Sequence, residues 1–228
     1  MVARKAPAVT RPRLLDLFCG GGGAAMGYHR AGFDVTGVDI APQPRYPFTF
    51  VQADALTFPL DGFDAIHASP PCQAYSIANN IHGNTEHPDL LPATRARLEA
   101  WGGPWVIENV PGSPMHHYVT VCGLALGLGV KRHRWFESNV GLLVPPCPHG
   151  HPGDWVSVFG HTVLERGHVI GKAKGGGNRI KRKHLGVERG RQAMGIDWMT
   201  REELSEAIPP AYTEHIGRQL IDALERAA

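Results

Sequence analysis

The segment Ser69-Pro-Pro-Cys72-Gln-Ala-Tyr-Ser76 sets a thiol on a Pro-Pro turn directly after the apolar run DAIHAS (64 to 69). Proline fixes its own φ and biases the residue before it away from helix, so the turn presents Cys72 rigidly. Flanking prolines and a polar continuation suit an exposed turn better than a buried structural cysteine, which makes Cys72 a candidate nucleophile. Two further groups have complementary chemistry. Glu108 ends the apolar run WVIENV (105 to 110), and Arg132-His133-Arg134 carries two guanidiniums that point the same way on a strand. A nucleophile, a carboxylic acid and paired cations describe an enzyme more readily than a binding module.

A second set of residues suits a cofactor. Asp16-Leu-Phe-Cys-Gly-Gly-Gly-Gly closes the run RLLDLF (13 to 18) and opens a helical stretch, AAMGYHRAGF. Glycines at such a junction let a ligand approach the backbone closely. Asp39, near the end of DVTGVDI (34 to 40), stands where an acid accepts hydrogen bonds from ribose hydroxyls. Asp54 ends TFVQAD (49 to 54) in the same manner. No phosphate-binding lysine accompanies the glycines, so a cofactor containing a ribose is implied.

These groups need a scaffold that brings strand ends together. Apolar runs of strand length alternate with helical stretches, the last of them near Leu91 to Trp101, and this predicts an α/β protein with a doubly wound, mostly parallel sheet. Residues 119 to 138 add one or two elements to it. Residues 1–12 read as a loose basic arm and 13–138 as the catalytic, cofactor-binding domain. Residues 139–190, rich in Pro, Gly, His and basic residues, read as a small second lobe. In the final segment, 191–228, Tyr212, Ile216, Leu220 and Leu224 recur every four residues, predicting helices that pack back on the main domain.

The 228 residues, 43% of them hydrophobic, support one sizeable core. The net charge of +2 conceals a division: Lys172 to Arg191 holds eight basic residues and one acid, leaving 15 basic and 20 acidic residues elsewhere. Lys172, Lys174, Arg179, Lys181, Arg182 and Lys183, interleaved with glycines, suit a loop laid on phosphates. No apolar run approaches the ~20 residues that span a bilayer, and the start lacks a signal-peptide core, which predicts a soluble, cytoplasmic protein without membrane partners. The four cysteines match no paired framework. Cys122 reads as core and Cys19 as a packing residue of the glycine turn. Cys147, His149 and His151 do not have standard zinc spacing, so no metal is expected.

In the order DLFCGGGG, GVDI, QADA, SPPCQ, ENV, RHR, the chain resembles the cytosine-C5 DNA methyltransferases, in the compact form of bacteriophages and their bacterial hosts. The resemblance spans residues 13 to 138 and 191 to 228; SPPCQ followed by ENV is its most specific part. It departs from the family at Val130, where Gln is usual, and at Ser205-Glu206, where Gly-Asn is usual. The resemblance implies S-adenosyl-L-methionine as cofactor, held by Asp16, Phe18, Gly20, Gly22, Gly23, Asp39, Ile40, Asp54 and Pro71. It implies Cys72 as nucleophile, Glu108 as the acid that engages the base, and Arg132 and Arg134 as active-site cations. Gln73 and Ser76 would touch DNA, residues 139–190 would choose a short double-stranded target, and Ile77 to Leu91 would close over a flipped-out cytosine. A monomer, with a restriction endonuclease as companion, completes the expectation. A tRNA cytosine methyltransferase and a catalytically silent DNA-binding subunit are the alternatives.

Overall fold

The computed structural model describes residues 11–72, 75, 88–148, 150, 153–159, 162–165, 168–172, 178–181 and 183–227, with the backbone alone for 168–172 and 178–181. The apolar runs form β1 (Arg13–Leu17), β2 (Asp34–Asp39), β3 (Thr49–Gln52), β4 (Ala65–Ala68), β5 (Trp105–Asn109), β6 (Val119–Cys122) and β7 (His133–Ser138). They make one seven-stranded sheet in the order β3-β2-β1-β4-β5-β7-β6. The first five strands lie parallel, and β7 runs antiparallel to both β5 and β6. The order reverses between β1 and β4, and a doubly wound sheet binds its ligand at the carboxyl ends around such a point.

Side chains alternate across each strand, so the sheet feeds two cores. Leu14, Val35, Ala65, Val106 and Phe136 pack on one face against α1 (Gly23–Ala31) and α5 (Pro210–Ala227). Leu15, Leu17, Val38, Ile66 and Ile107 pack on the other against α2 (Leu91–Trp101). The α1–α5 contact depends on absent side chains: a Cβ at Gly27 would meet the Pro210 carbonyl at 2.1 Å, and one at Gly217 would meet the Ala31 Cβ at 2.8 Å. From α2, Arg95 reaches Glu137 of β7 with Nε···Oε1 at 2.6 Å and Nη2···Oε2 at 2.9 Å, a buried bidentate pair that locks β7 to this layer.

A third core, built from Val130, Val156, Val158, Val163, Met194, Met199 and Leu204, belongs to the small lobe. It joins the hairpin β8 (Val156–Phe159) and β9 (Thr162–Glu165) to α3 (Val187–Met194) and α4 (Arg201–Glu206). A second hairpin pairs β10 (His168–Lys172) with β11 (Asn178–Lys181). The lobe boundaries differ from those the composition suggests. Val140, Leu142 and Val144 pack against the first core, and the Leu143 backbone bonds to Gln219 and His215 of α5, so the Pro-rich segment starting at 139 lies on the main body. Conversely, α3 and α4 complete the lobe, leaving α5 to pack against α1. Composition marked the change in polarity, while apolar burial decides the boundary. No helix among the described residues is long and apolar enough to cross a membrane.

Candidate active site

The carboxyl ends of β1, β2, β4 and β5 meet along one edge, and the antiparallel β7 brings its first residues to that edge, pairing Trp135 with Asn109 and Phe136 with Glu108. Arg134 Nε lies 2.9 Å from Glu108 Oε1, both side chains nearly buried. The approach is off-axis, and Oε1 has no hydrogen bond. Burial raises the Glu108 carboxyl above the ordinary range, and Arg134, Arg132 and a hydrogen bond from Ser69 oppose that rise. Asn109 ties the next strand in: its Nδ2 donates to the Pro70 carbonyl at 3.0 Å, clasping the Pro70-Pro71-Cys72 turn to the end of β5.

Cys72 is therefore held beside Glu108 and Arg134, all three within electrostatic reach of one another. Burial pushes the thiol up, Arg134 pulls it down, and Glu108 and Glu206 push it up again, leaving it above its ordinary value. Desolvation thus outweighs the favourable charge of Arg134 at the thiol. The two arginines also part company. Arg132 is buried and donates to the Val158 carbonyl at 2.5 Å and the Ser205 carbonyl at 2.8 Å, while its Nε lacks a partner. Its guanidinium ties β7 to the small lobe, and burial with Arg134 nearby lowers its pKa to about 9. The departures at Val130 and Ser205 belong to this tie: buried Val130 bridges to Val156, and Ser205 receives Arg132.

Behind Glu108 runs a polar chain that motif reading missed. Tyr28 Oη lies 3.0 Å from His67 Nδ1, His67 Nε2 lies 2.8 Å from Ser69 Oγ, and Ser69 bonds to Glu108. Burial lowers His67 to about 3, so the ring is neutral at physiological pH. The sequence does carry a signal for it: the apolar strands RLLDL, AIHA and WVIEN each hold one buried ionisable residue. Those three residues, Asp16, His67 and Glu108, are all buried, Asp16 pairing directly with His67 across β1 and β4.

At the other end of the edge, Gly22 takes φ 83° at the N-terminus of α1, a left-handed conformation suited to glycine, and Phe18 (φ 58°) and Gly20 (φ 48°) shape the turn before it. Asp39 accepts from the Gly20 and Ala41 amides, each at 3.0 Å, which fixes its carboxylate beside the glycine turn. Asp54 Oδ1 accepts from the Leu56 amide at 2.9 Å. The small lobe braces the turn from outside, with Trp198 Nε1 donating to the Gly21 carbonyl at 2.8 Å.

No protein-family profile matches the chain. It is 31% identical over 110 residues to the Type II methyltransferase M.NgoMIV of Neisseria gonorrhoeae, covering 43% of this chain and 35% of that one. The chain thus spans about a third of the length of this relative. In three dimensions it is similar to a prophage-encoded protein of E. coli described as a DNA modification methyltransferase, with TM-score 0.60, 15% identity and coverage of 94% and 99%. It is similar over the same shares to the Entamoeba histolytica methyltransferase EhMeth (TM-score 0.61, 11% identity) and to the S. pombe Dnmt2 methyltransferase (TM-score 0.60, 12% identity).

The chain shares its fold with these methyltransferases. The cofactor that the sequence resemblance implies is S-adenosylmethionine, and the residues present fit it. Asp16 Oδ1 is a buried acceptor without a hydrogen bond at the end of β1, and its carboxyl is raised to about 8, mainly by burial, a state that a cationic ligand would relieve. Ile40, 73% exposed beside Asp39, offers an apolar platform. Pro71 lies in the turn clasped by Asn109. Of the residues expected on DNA, Lys183 is exposed beside β9, its carbonyl accepting from the Glu165 amide. Gln73, Ser76, Lys174 and Arg182, the side chains of Lys172, Arg179 and Lys181, and most of the Ile77 to Leu91 loop lie outside the described residues.

Proposed function

We propose that the protein is a DNA (cytosine-5)-methyltransferase acting on a cytosine flipped out of a duplex. The observation that carries this reading is the clasp of the SPPC turn to the ENV strand by Asn109, with Arg134 on Glu108, which gathers a thiol, an acid and a cation at the sheet edge beside a cofactor-type turn. C5 of cytosine is a poor nucleophile, and addition of the Cys72 thiolate to C6 makes it electron-rich. Glu108 is suited to hold or donate a proton at N3, because burial keeps its carboxyl more basic than usual. Arg134 orients Glu108 and favours the thiolate form of Cys72. S-adenosylmethionine supplies the methyl group; Phe18, the glycine turn, Asp39 and Asp54 would hold it. Loss of the C5 proton and of Cys72 then leaves 5-methylcytosine.

A base inside a duplex must be extruded at a cost of a few kcal/mol. The basic residues 172–183 supply phosphate contacts for that complex on an otherwise acidic chain. The deciding experiment incubates the protein and labelled S-adenosylmethionine with a mixed-sequence duplex and, separately, with tRNA, and maps the product by methylation sequencing. Label at C5 of cytosine in one duplex sequence context supports the proposal, label in tRNA alone replaces it, and cofactor binding without transfer to either makes the chain a silent subunit. A 5-fluorocytosine duplex, whose C5 carries no removable proton, should trap Cys72 covalently.

A further inference from the structure

Away from the transfer site, three soft ligand-type side chains converge on the β6 edge of the sheet. Cys122 ends β6, His133 opens β7, and the two are direct cross-strand partners, so their side chains leave the same face. Cys147 arrives on Val144-Pro-Pro-Cys147-Pro148, whose prolines hold it stiffly, much as Pro70 and Pro71 hold Cys72. His133 Nε2 lies 3.3 Å from Cys147 Sγ, and with Cys122 Sγ the three donor atoms all fall within 4.8 Å of one another. Cys122 is buried, while His133 and Cys147 are half-buried, leaving an ion a path from solvent.

We infer that Cys122, His133 and Cys147 form a binding site for a thiophilic divalent cation, with zinc the ion best matched to two thiolates and an imidazole. Bond lengths of about 2.3 Å to sulfur and about 2.0 Å to nitrogen place two thiolates about 3.8 Å apart, and a thiolate and an imidazole about 3.5 Å apart, around tetrahedral zinc. His133 Nε2 and Cys147 Sγ, 3.3 Å apart, are close to that spacing, and Cys122 Sγ lies within 4.8 Å of both. Composition had set Cys147 with His149 and His151, which lie outside the described residues. The fold sets it instead with Cys122 and His133, across a hairpin that sequence spacing does not reveal.

The consequence is mechanical. Residues alternate along β7, so His133 turns away from the face that carries Arg132 and Arg134. A metal there would staple the hairpin to the segment entering the small lobe, and so fix the strand that delivers Arg134 to Glu108. No step of methyl transfer needs the ion, and the test reads metal rather than activity. Protein purified from zinc-supplemented cells and desalted should contain about one zinc per chain. Cys147→Ser and Cys122→Ser should each lose it, whereas Cys72→Ser should retain it.

Because Cys122 is buried and its variant can fail to fold, the intact chain supplies a second measurement. After chelation, Co2+ should produce the intense visible bands of a tetrahedral ion with a thiolate charge-transfer band, and Zn2+ should abolish them. Adding Zn2+, and not Mg2+, should raise the melting temperature of the chelated protein. Absence of both stoichiometric zinc and the cobalt spectrum overturns the proposal. So does a Cys122–Cys147 disulfide in metal-replete protein, or full zinc content in both serine variants.

Discussion

The two sides of β7 hold their polar groups differently. Toward the parallel strands, Glu108 is enclosed by Arg134, Ser69 and the polar chain behind it, and the Cys72 turn is clasped by a buried amide. Toward the small lobe, the β8–β9 hairpin leans on one compact apolar cluster, and Lys183 is exposed beside β9. The first arrangement over-determines a few atoms, as bond-making requires. The second leaves a polar surface free to vary without disturbing those atoms. Arg132 and Arg134, two residues apart, divide between the regions: Arg134 serves the acid, and Arg132 ties the lobe to the strand.

Substitutions can break this contrast in order of expected size. Cys72→Ser should lower methyl transfer by roughly 10^4-fold or more with cofactor affinity unchanged, read by single-turnover transfer and calorimetry. Glu108→Gln should lower transfer by about 10^2- to 10^4-fold, and loss of its pH dependence would mark Glu108 as the acid. Arg132→Met leaves the Val158 and Ser205 carbonyls without their donor and should cost about 3 kcal/mol in urea unfolding. Arg134→Met should instead act mainly on transfer; equal effects of the two on both readouts would erase the division drawn here.

His67 sharpens the contrast through pH. Its folded value of about 3 lies below the unfolded 6.5, so the unfolded chain binds the extra proton, and this contribution is complete above pH 6.5 and declines as pH falls toward 3. His67→Asn should flatten that decline by about 1–2 kcal/mol at pH 5, measured as unfolding free energy against wild type. The smallest effect belongs to the lobe. Neutralising Lys181, Arg182 and Lys183 should weaken duplex binding about tenfold and reduce the salt slope by roughly 2–3, while leaving cofactor affinity unchanged.

Much of this was legible from local chemistry. Runs such as RLLDL and WVIEN bury both faces and so read directly as central strands, and the Pro-Pro-Cys turn and the glycine turn announce themselves because proline fixes φ and glycine favours the left-handed backbone seen at Gly20 and Gly22. The lobe boundary was less legible, since Val140, Leu142 and Val144 sit among prolines whose polar setting masks their burial. The Tyr28–His67–Ser69 chain was invisible to motif reading because its members are far apart and ordinary in type.

The sequence by itself singled out candidate residues for chemistry and determined that the early strands are parallel, because residue types, apolar runs and crossover helices are local properties. Only the tertiary structure decided that β7 enters antiparallel between β5 and β6. That reversal delivers Arg134 to Glu108, turns Arg132 to the lobe, and sets His133 opposite Cys122. Strand direction depends on long-range pairing and burial, which no spacing along the chain encodes.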